Sequence, residues 1–379
     1  MAEKEKTTAE EVVEEVKEEQ TEAATEETVV EETATEETVA EETVEETPAP
    51  AKEEKKEKKE KKSGKKGFII PVIIAAVIVV AALVFTIIMG VSATGAYGKK
   101  DYKAAYTSSK FALFLAGQDK DIIAREYITE VLCKEGKYFT ATKILEKTGF
   151  SEEEKSKIYA TDETFSLCNK GKVVTFGKYE TDNNMGNGAD GLEWIVLDIN
   201  EVDGRAYAFL LTKDVVGTPG GWNRFASSES NTSYAQSNLH SWCESDFYNS
   251  FVMQDTALRE KVVAMKISTE DSSGGIDSGE DVVAHAYAPS IQELEKYLVG
   301  DLAQYLKASP TKAARASGVT SYGSEKIAAY YVRNIGNVED GTQWAAGVDK
   351  NGEILEGLGM TSSSYGARVC INVDLGEIK

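Results

Sequence analysis

The run FIIPVIIAAVIVVAALVFTIIM, Phe68–Met89, contains no charged residue. At a helical rise of about 1.5 Å per residue it reaches across a hydrocarbon core about 30 Å thick, and uncharged runs of roughly 18 or more read as membrane spans. Pro71 falls one turn into the run, where a helix tolerates it. The chain is therefore expected to divide at this run, with everything else on one side of a membrane or the other.

The flanks give the direction. Lys52–Lys66 holds nine Lys against four Glu, whereas beyond the run the first Lys is Lys99. Excess Lys marks the cytoplasmic flank, so residues 1–67 are expected inside and the residues after 90 outside. The competing reading is a cleaved signal peptide, since Val91-Ser92-Ala93 resembles a small-residue cleavage site. The apolar run exceeds the usual 7 to 15 residues of such a leader, which favours an uncleaved signal anchor at 68–90 and a single-pass plasma-membrane protein.

Residues 1–47 hold 19 Glu and three Lys and repeat the unit EETVV EETAT EETVA. With no aromatic residue and little apolar surface, this acidic tail (1–50) is expected to be disordered. It is either an inert solvated spacer or an interaction tail. The Lys-rich linker (51–67) should lie on the inner membrane face, each Lys near an anionic leaflet contributing about 1 kcal/mol. Of the formal net charge of −22, the tail supplies −16 and the linker +5, which leaves −11 beyond them. A moderately acidic exterior argues against nucleic acid as a partner.

From 95 to 168 the pattern is helical. The runs DYKAAYTSSKFALFLAG, DIIAREYITEVLCKEG and KYFTATKILEKTG each close on glycine, at Gly117, Gly136 and Gly149, the usual stop after an apolar-periodic run. Tyr102 with Ala105 and Tyr138 with Ala141 repeat at 36 residues, close to the 34 of tetratricopeptide repeats. Two copies are fewer than a solenoid needs, so a short helical stalk is the other reading. SEEEKSKIYA, from Ser151, reads as a capped helix that closes the region.

At Gly171 the texture changes to strands: KVVTFGKYE, GLEWIVLDI and RAYAFLLTKDVV, with turns at Asn183–Gly191 and Asp203-Gly204. Helical runs follow in QSNLHSWCESDFYNSFV, DTALREKVVAM and SIQELEKYLVGDLAQYL, the last capped by Ser290. Strands return in AAYYVRNI, TQWAAGVDKNGEIL and YGARVCINVDL, the middle one a hairpin turned at Asp349–Gly352. Strands, helices, then strands imply an α+β domain over 171–379 with a mostly antiparallel sheet.

These residues carry a resemblance. Phe176–Glu180 (FGKYE), Glu193–Asp198 (EWIVLD), Leu210–Lys213, Trp242 with Phe247-Tyr248, Ser290–Tyr297, Val332-Arg333, Val348–Gly352 and Gly366–Val369 together resemble an uncharacterised bacterial extracytoplasmic domain family of Gram-positive surface proteins. That family is catalogued as a domain of unknown function with no established activity, so the resemblance implies a surface location and says almost nothing of function. The order of a strand with Arg, a hairpin, Gly-x-Arg and a last strand is also distantly similar to C-type-lectin-like folds, including formylglycine-generating enzymes. That similarity implies a loop platform for a ligand. Cys243 and Cys370 do not stand in a paired active-site phrase, so oxidase chemistry is not implied.

No cofactor motif and no catalytic constellation is evident. His240 and His285 are the two histidines and show neither HxH nor HExxH spacing. The loop Asp182–Asp190, with Glu193 in twelfth place when Asp182 is counted as the first, could hold Ca²⁺, but its glycines are misplaced for an EF-hand and an ordinary turn is favoured. The acidic loop Glu270–Asp281 reads the same way. The four cysteines are spaced singly and read as buried free thiols, a Cys168–Cys370 bridge being the alternative. Trp194, Trp242 and Trp344 read as core. Trp222, in Gly220-Gly221-Trp222-Asn223-Arg224, is expected in a loop and exposed. With Tyr365 and Arg368, the residues Trp222, Asn223 and Arg224 form the expected ligand-binding set for a cell-surface glycan or protein. Arg333 and Arg368 would need buried carboxylates, Asp198 or Glu193, if they point inward. A cell-surface enzyme and a scaffold or signalling subunit acting through the acidic tail are the alternatives.

Overall fold

The computed structural model describes residues 69–223, 233–269, 279–339 and 342–378. The acidic tail, the Lys-rich linker, Arg224 and most of the 270–281 loop lie outside them.

Among the described residues one helix, Ile69–Gly98, is long and apolar enough to cross a membrane. Its large apolar side chains from Val72 to Ile88 are exposed, as expected where lipid rather than protein surrounds a helix. Its last turns differ. Ala93 is buried, and Met89, Ala96 and Tyr97 pack with Ala105, Ala112, Leu115 and Ile123 into a small separate apolar cluster.

The segment that follows is helical in short pieces: Tyr102–Ser109, Lys120–Tyr127 continuing as a π-helical turn to Leu132, Tyr138–Leu145, Glu152–Tyr159 and Glu163–Ser166. Ser151 and Glu154 form the reciprocal cap expected at the fourth start. The first helix stops at Ser109 rather than running to Gly117. The Thr107 and Ser109 hydroxyls bond back to the carbonyls of Lys103 and Tyr106, a local alternative to helix continuation. Ala105 and Ala141, the small residues of the 36-residue period, are both fully buried.

Twelve strands are described: β1 Val173–Tyr179, β2 Asp190–Val202, β3 Arg205–Thr212, β4 Val262–Val263, β5 Met265–Ile267, β6 Val282–Ala284, β7 Ala286–Tyr287, β8 Tyr330–Glu339, β9 Thr342–Val348, β10 Ile354–Leu358, β11 Gly366–Ala367 and β12 Cys370–Glu377. The main sheet has the order β1-β2-β3-β12-β4, with β7 also paired to β12. A second sheet runs β10-β9-β8-β11, and β5 pairs with β6. Every pairing is antiparallel except β11 with β8, so the domain is α+β with antiparallel sheets.

The turn residues do what their chemistry requires. Asp203 and Gly204 both take positive φ, +50° and +74°, the conformation a tight two-residue hairpin needs between Val202 and Arg205. Helices at Tyr248–Met253 and Thr256–Lys261 pack against strands of the main sheet, and Asn238–Ser241 against β8. The rings of Phe247 and Phe251 meet Trp194 edge-on at 6.3 and 5.6 Å. The run DTALREKVVAM is helical only to Lys261, because Val262-Val263 is taken by β12 as an edge strand. SIQELEKYLVGDLAQYL likewise breaks after Tyr297, where Gly300 takes φ +58°, into a 3-10 turn over Gly300–Leu306. The main apolar cluster runs from Ile128 and Leu132 through the sheets to Leu375, so the helical pieces from Ile128 onward share one core with the strands.

Candidate functional site

A cleft of about 310 Å³ lies over the face of β3 and β12. Register places it: Phe209 on β3 stands opposite Asn372 on β12, and on a pleated sheet both then point to the same side. Tyr287 of β7 lies over Phe209, ring centroids 6.4 Å apart and nearly parallel, and Tyr297 meets Phe209 edge-on at 5.5 Å. Asn372 donates to the Tyr287 hydroxyl at 2.8 Å. Burial holds the Tyr287 phenol well above its ordinary value, so it stays neutral.

The helix Ile291–Tyr297 forms one wall. Ile291 and Leu294 turn to the core, which leaves Gln292, Glu293, Lys296 and Tyr297 for the cleft. Ser290 caps this helix, with its hydroxyl accepting from the Glu293 N–H while the Glu293 carboxylate accepts from the Ser290 N–H. The same carboxylate grips Arg333 of β8 from both oxygens, at 2.5 and 2.9 Å. Arg333 is 2% exposed and also donates to the carbonyls of Ser268 and Ala288. Desolvation alone would favour the neutral guanidine, but the Glu293 charge and its hydrogen bonds outweigh it, and Arg333 stays charged.

The cleft combines aromatic side chains with a few polar ones. Its carboxylate is engaged by Arg333 and by the helix cap. Asn200 and the exposed Gln292 and Lys296 rim an aromatic floor, with the Lys296 ammonium 4.5 Å over the Tyr297 ring and donating to its hydroxyl at 2.8 Å. A volume near 300 Å³ sits at the small end of ligand pockets, which combine apolar walls with a few placed polar groups.

The set expected from sequence lies elsewhere. Trp222 is fully buried, and its indole N–H donates to the Val332 carbonyl at 2.9 Å. The expectation of an exposed ring fails because the 217–223 loop is tied beneath the 359–366 loop. Thr218 donates to the carbonyls of Ser363 and Tyr365, and the Asn223 N–H to that of Met360. Asn223 is 8% exposed. Tyr365 is half-buried and edge-on to Tyr331 at 5.4 Å. Arg368 is fully buried and donates to the carbonyls of Thr212 and Tyr305, with its guanidinium 5.3 Å over the Tyr330 ring. The structure thus brings Trp222, Asn223 and Tyr365 into one neighbourhood as packing. The carboxylates proposed as partners for the two arginines serve lysines instead, Asp198 with Lys170 and Glu193 with Lys213. Trp194 is core as expected, whereas Trp242 and Trp344 are only half-buried.

His285 pairs with Glu244, Nδ1 to Oε1 at 2.7 Å, and stacks on Tyr248 at 4.4 Å. The other Glu244 oxygen accepts the backbone N–H groups of His285 and Ala286. His240 stacks at a tilt on Tyr234, and burial lowers its pKa. Glu180, Asp182 and Asp190 bring carboxylate oxygens within 4.8 Å of one another. Those oxygens cap the turn: Asp190 accepts from Thr181 and Asp182, and Asp182 from Asn184 and Asn187. The four cysteines are buried free thiols.

The cleft residues were written in the sequence but not singled out for a site. Ser290–Tyr297 and Val332-Arg333 stand among the resemblance motifs, and a capping Glu followed forty residues later by an Arg on a buried strand is a charge needing a partner.

Residues 207–375 match the family described as Domain of unknown function (DUF6273). All the cleft residues except Asn200 fall within that match. The β1 and β2 strands, with the FGKYE and EWIVLD phrases, lie before it. No curated protein and no solved structure matches the chain.

Proposed function

We propose that this is a single-pass, membrane-anchored bacterial surface protein whose extracytoplasmic α+β domain binds a small polar ligand, a cell-wall glycan fragment or other carbohydrate, in the cleft over β3 and β12. The observation that carries the reading is the half-buried Tyr297 ring, backed by the buried rings of Phe209 and Tyr287, beside the amide and ammonium groups of Asn200, Gln292 and Lys296. Rings give stacking area to a sugar face, and amides and ammonium give its hydroxyls partners. The Lys-rich flank before the span supports a cytoplasmic N-terminus. The resemblance to C-type-lectin-like folds supports a loop platform of the same use, and the helical pieces serve as its spacer or as a protein-contact module.

The test is a binding screen of glycans and cell-wall fragments on the full chain in detergent micelles, with Tyr297→Ala and Lys296→Ala beside it. A lost stacking ring is worth up to about 1.5 kcal/mol, so affinity should fall about tenfold in Tyr297→Ala. Binding that is unchanged in both variants would move the site away from the cleft.

A second reading, a cell-surface enzyme, draws on the half-exposed His285–Glu244 pair. A His held by a carboxylate suits acid–base work. Hydrolysis of wall fragments that His285→Gln abolishes would favour it over binding alone.

A further inference from the structure

Immediately after the first short helix, the segment Lys110–Leu115 (KFALFL) places its side chains in two directions. Ala112 and Leu115 are buried against the distal end of the long apolar helix, at 4% and 8% exposure, while Phe111, Leu113 and Phe114 stand out at 54%, 70% and 70%. The other large exposed apolar side chains past Val91, among the described residues, are scattered singly, such as Met185, Met253 and Val283. Among the described residues this is the one place beyond the helix where three cluster.

Its position relative to the helix is specific. The Phe111 ring lies 6.2 Å from that of Phe85, edge-on. The Phe114 carbonyl rests on Gly90, where the missing side chain alone allows the approach. Counting from Phe68, a 30 Å core ends near Met89, so Phe85 lies about 6 Å inside the apolar layer. A side chain touching Phe85 from outside the helix therefore shares its depth. Cations border the segment: Lys110 sits 4.5 Å over the Tyr106 ring, and the Lys120 ammonium donates to the Ala112 carbonyl at 2.6 Å. Lys99, Lys100 and Lys103 follow at the helix end. Exposed large apolar groups flanked by lysines suit a segment lying in a membrane interface.

We infer that Phe111, Leu113 and Phe114 insert into the distal leaflet beside the span, giving the protein a second contact with lipid. The inference rests on the reading that Ile69–Gly98 crosses the bilayer. The occupant of this face is acyl chain rather than another protein because the face continues the exposed apolar surface of the helix through Phe85 and is bordered by Lys110 and Lys120.

The test uses the full chain reconstituted in vesicles of phosphatidylcholine and phosphatidylglycerol, with a nitroxide label on Leu113→Cys or Phe114→Cys. Leu83→Cys marks the span and Val283→Cys marks water. The native thiols are buried, and the unsubstituted chain gives the labelling background. Collision with oxygen relative to a water-soluble nickel chelate should be several-fold higher at 113 and 114 than at 283, and close to that at 83. A ratio at 113 and 114 equal to that at 283 overturns the insertion. Shielding from both reagents overturns it too, since it would mean a protein seam. A water-like ratio at 83 sinks the span reading itself, and the inference with it.

Discussion

The carboxylate of Glu293 serves two structures at once: it closes the cap of its own helix on Ser290 and holds the guanidinium of Arg333, forty residues later on β8, by two hydrogen bonds. Arg333 in turn ties the Ser268 and Ala288 carbonyls, so four chain segments converge on one buried charge. The wall of the cleft is fixed by this pair rather than by apolar packing alone.

Glu293→Ala should accordingly cost more than an ordinary surface substitution. It strands a cation that is 2% exposed, and breaking a buried pair from one side costs about 3–5 kcal/mol. The Glu293 side chain is itself 18% exposed, so the lower end is expected. Replacing both partners, Arg333→Met with Glu293→Leu, removes the stranded charge and should recover much of the loss. Thermal unfolding of the three variants decides it. A loss under about 1 kcal/mol in Glu293→Ala would show that the pair does not pin the wall.

Trp222 behaves as core. Trp222→Ala should destabilise the domain by about 3–5 kcal/mol through the cavity it leaves. Trp222→Phe keeps most of the packing but leaves the Val332 carbonyl without its donor, a cost of about 1–3 kcal/mol. Unchanged unfolding of Trp222→Ala together with lost ligand binding would restore the surface reading of this residue.

Local chemistry made the long apolar helix, the caps at Ser151 and Ser290, and the hairpin at Asp203-Gly204 readable in advance. Each depends on residues within a few positions of one another. What sequence did not disclose is long-range. That β12 would pair with β3, β4 and β7 at once cannot be read from its own alternation. Trp222 looked exposed because its Gly-rich neighbours read as a free loop, yet a second loop 137 or more residues away covers it. The cleft was missed for the same reason: Phe209, Tyr287, Tyr297 and Asn372 each read as strand or helix residues, and only the sheet register makes them neighbours.

The thiols give a pH prediction. Burial pushes Cys133 and Cys168 up to about 12 from an ordinary 9.0, and raises Cys243 and Cys370 as well. Burial likewise moves Tyr179 from 10.0 to about 12. The fold therefore favours the protonated forms, and the stability they lend is complete below the unfolded value. It is lost as pH climbs from about 9 towards 12. The melting temperature should hold steady up to about pH 9 and fall above it. A thiol reagent at pH 8 should leave the native protein untouched and titrate four groups after denaturation. Rapid reaction of any thiol in the native state would contradict this burial.

Gly177, inside the FGKYE phrase, offers the sharpest test of packing. It takes φ +65° at the irregularity in β1–β2 pairing between Thr175 and Lys178, and its N–H donates to Glu163 at 2.9 Å. A Cβ there would stand 2.5 Å from the Phe251 ring and 2.8 Å from Leu258. Gly177→Ala thus meets two costs: about 1–2 kcal/mol for the left-handed backbone and about 1–3 kcal/mol for overpacking. Gly188 has φ +80° with nothing near its missing side chain, so Gly188→Ala should show the first cost alone. Adding Phe251→Leu to Gly177→Ala should return part of the second cost and none of the first. Equal losses in the two single variants would mean that the core beside β1 yields, and that the glycine of the phrase is there for its backbone only.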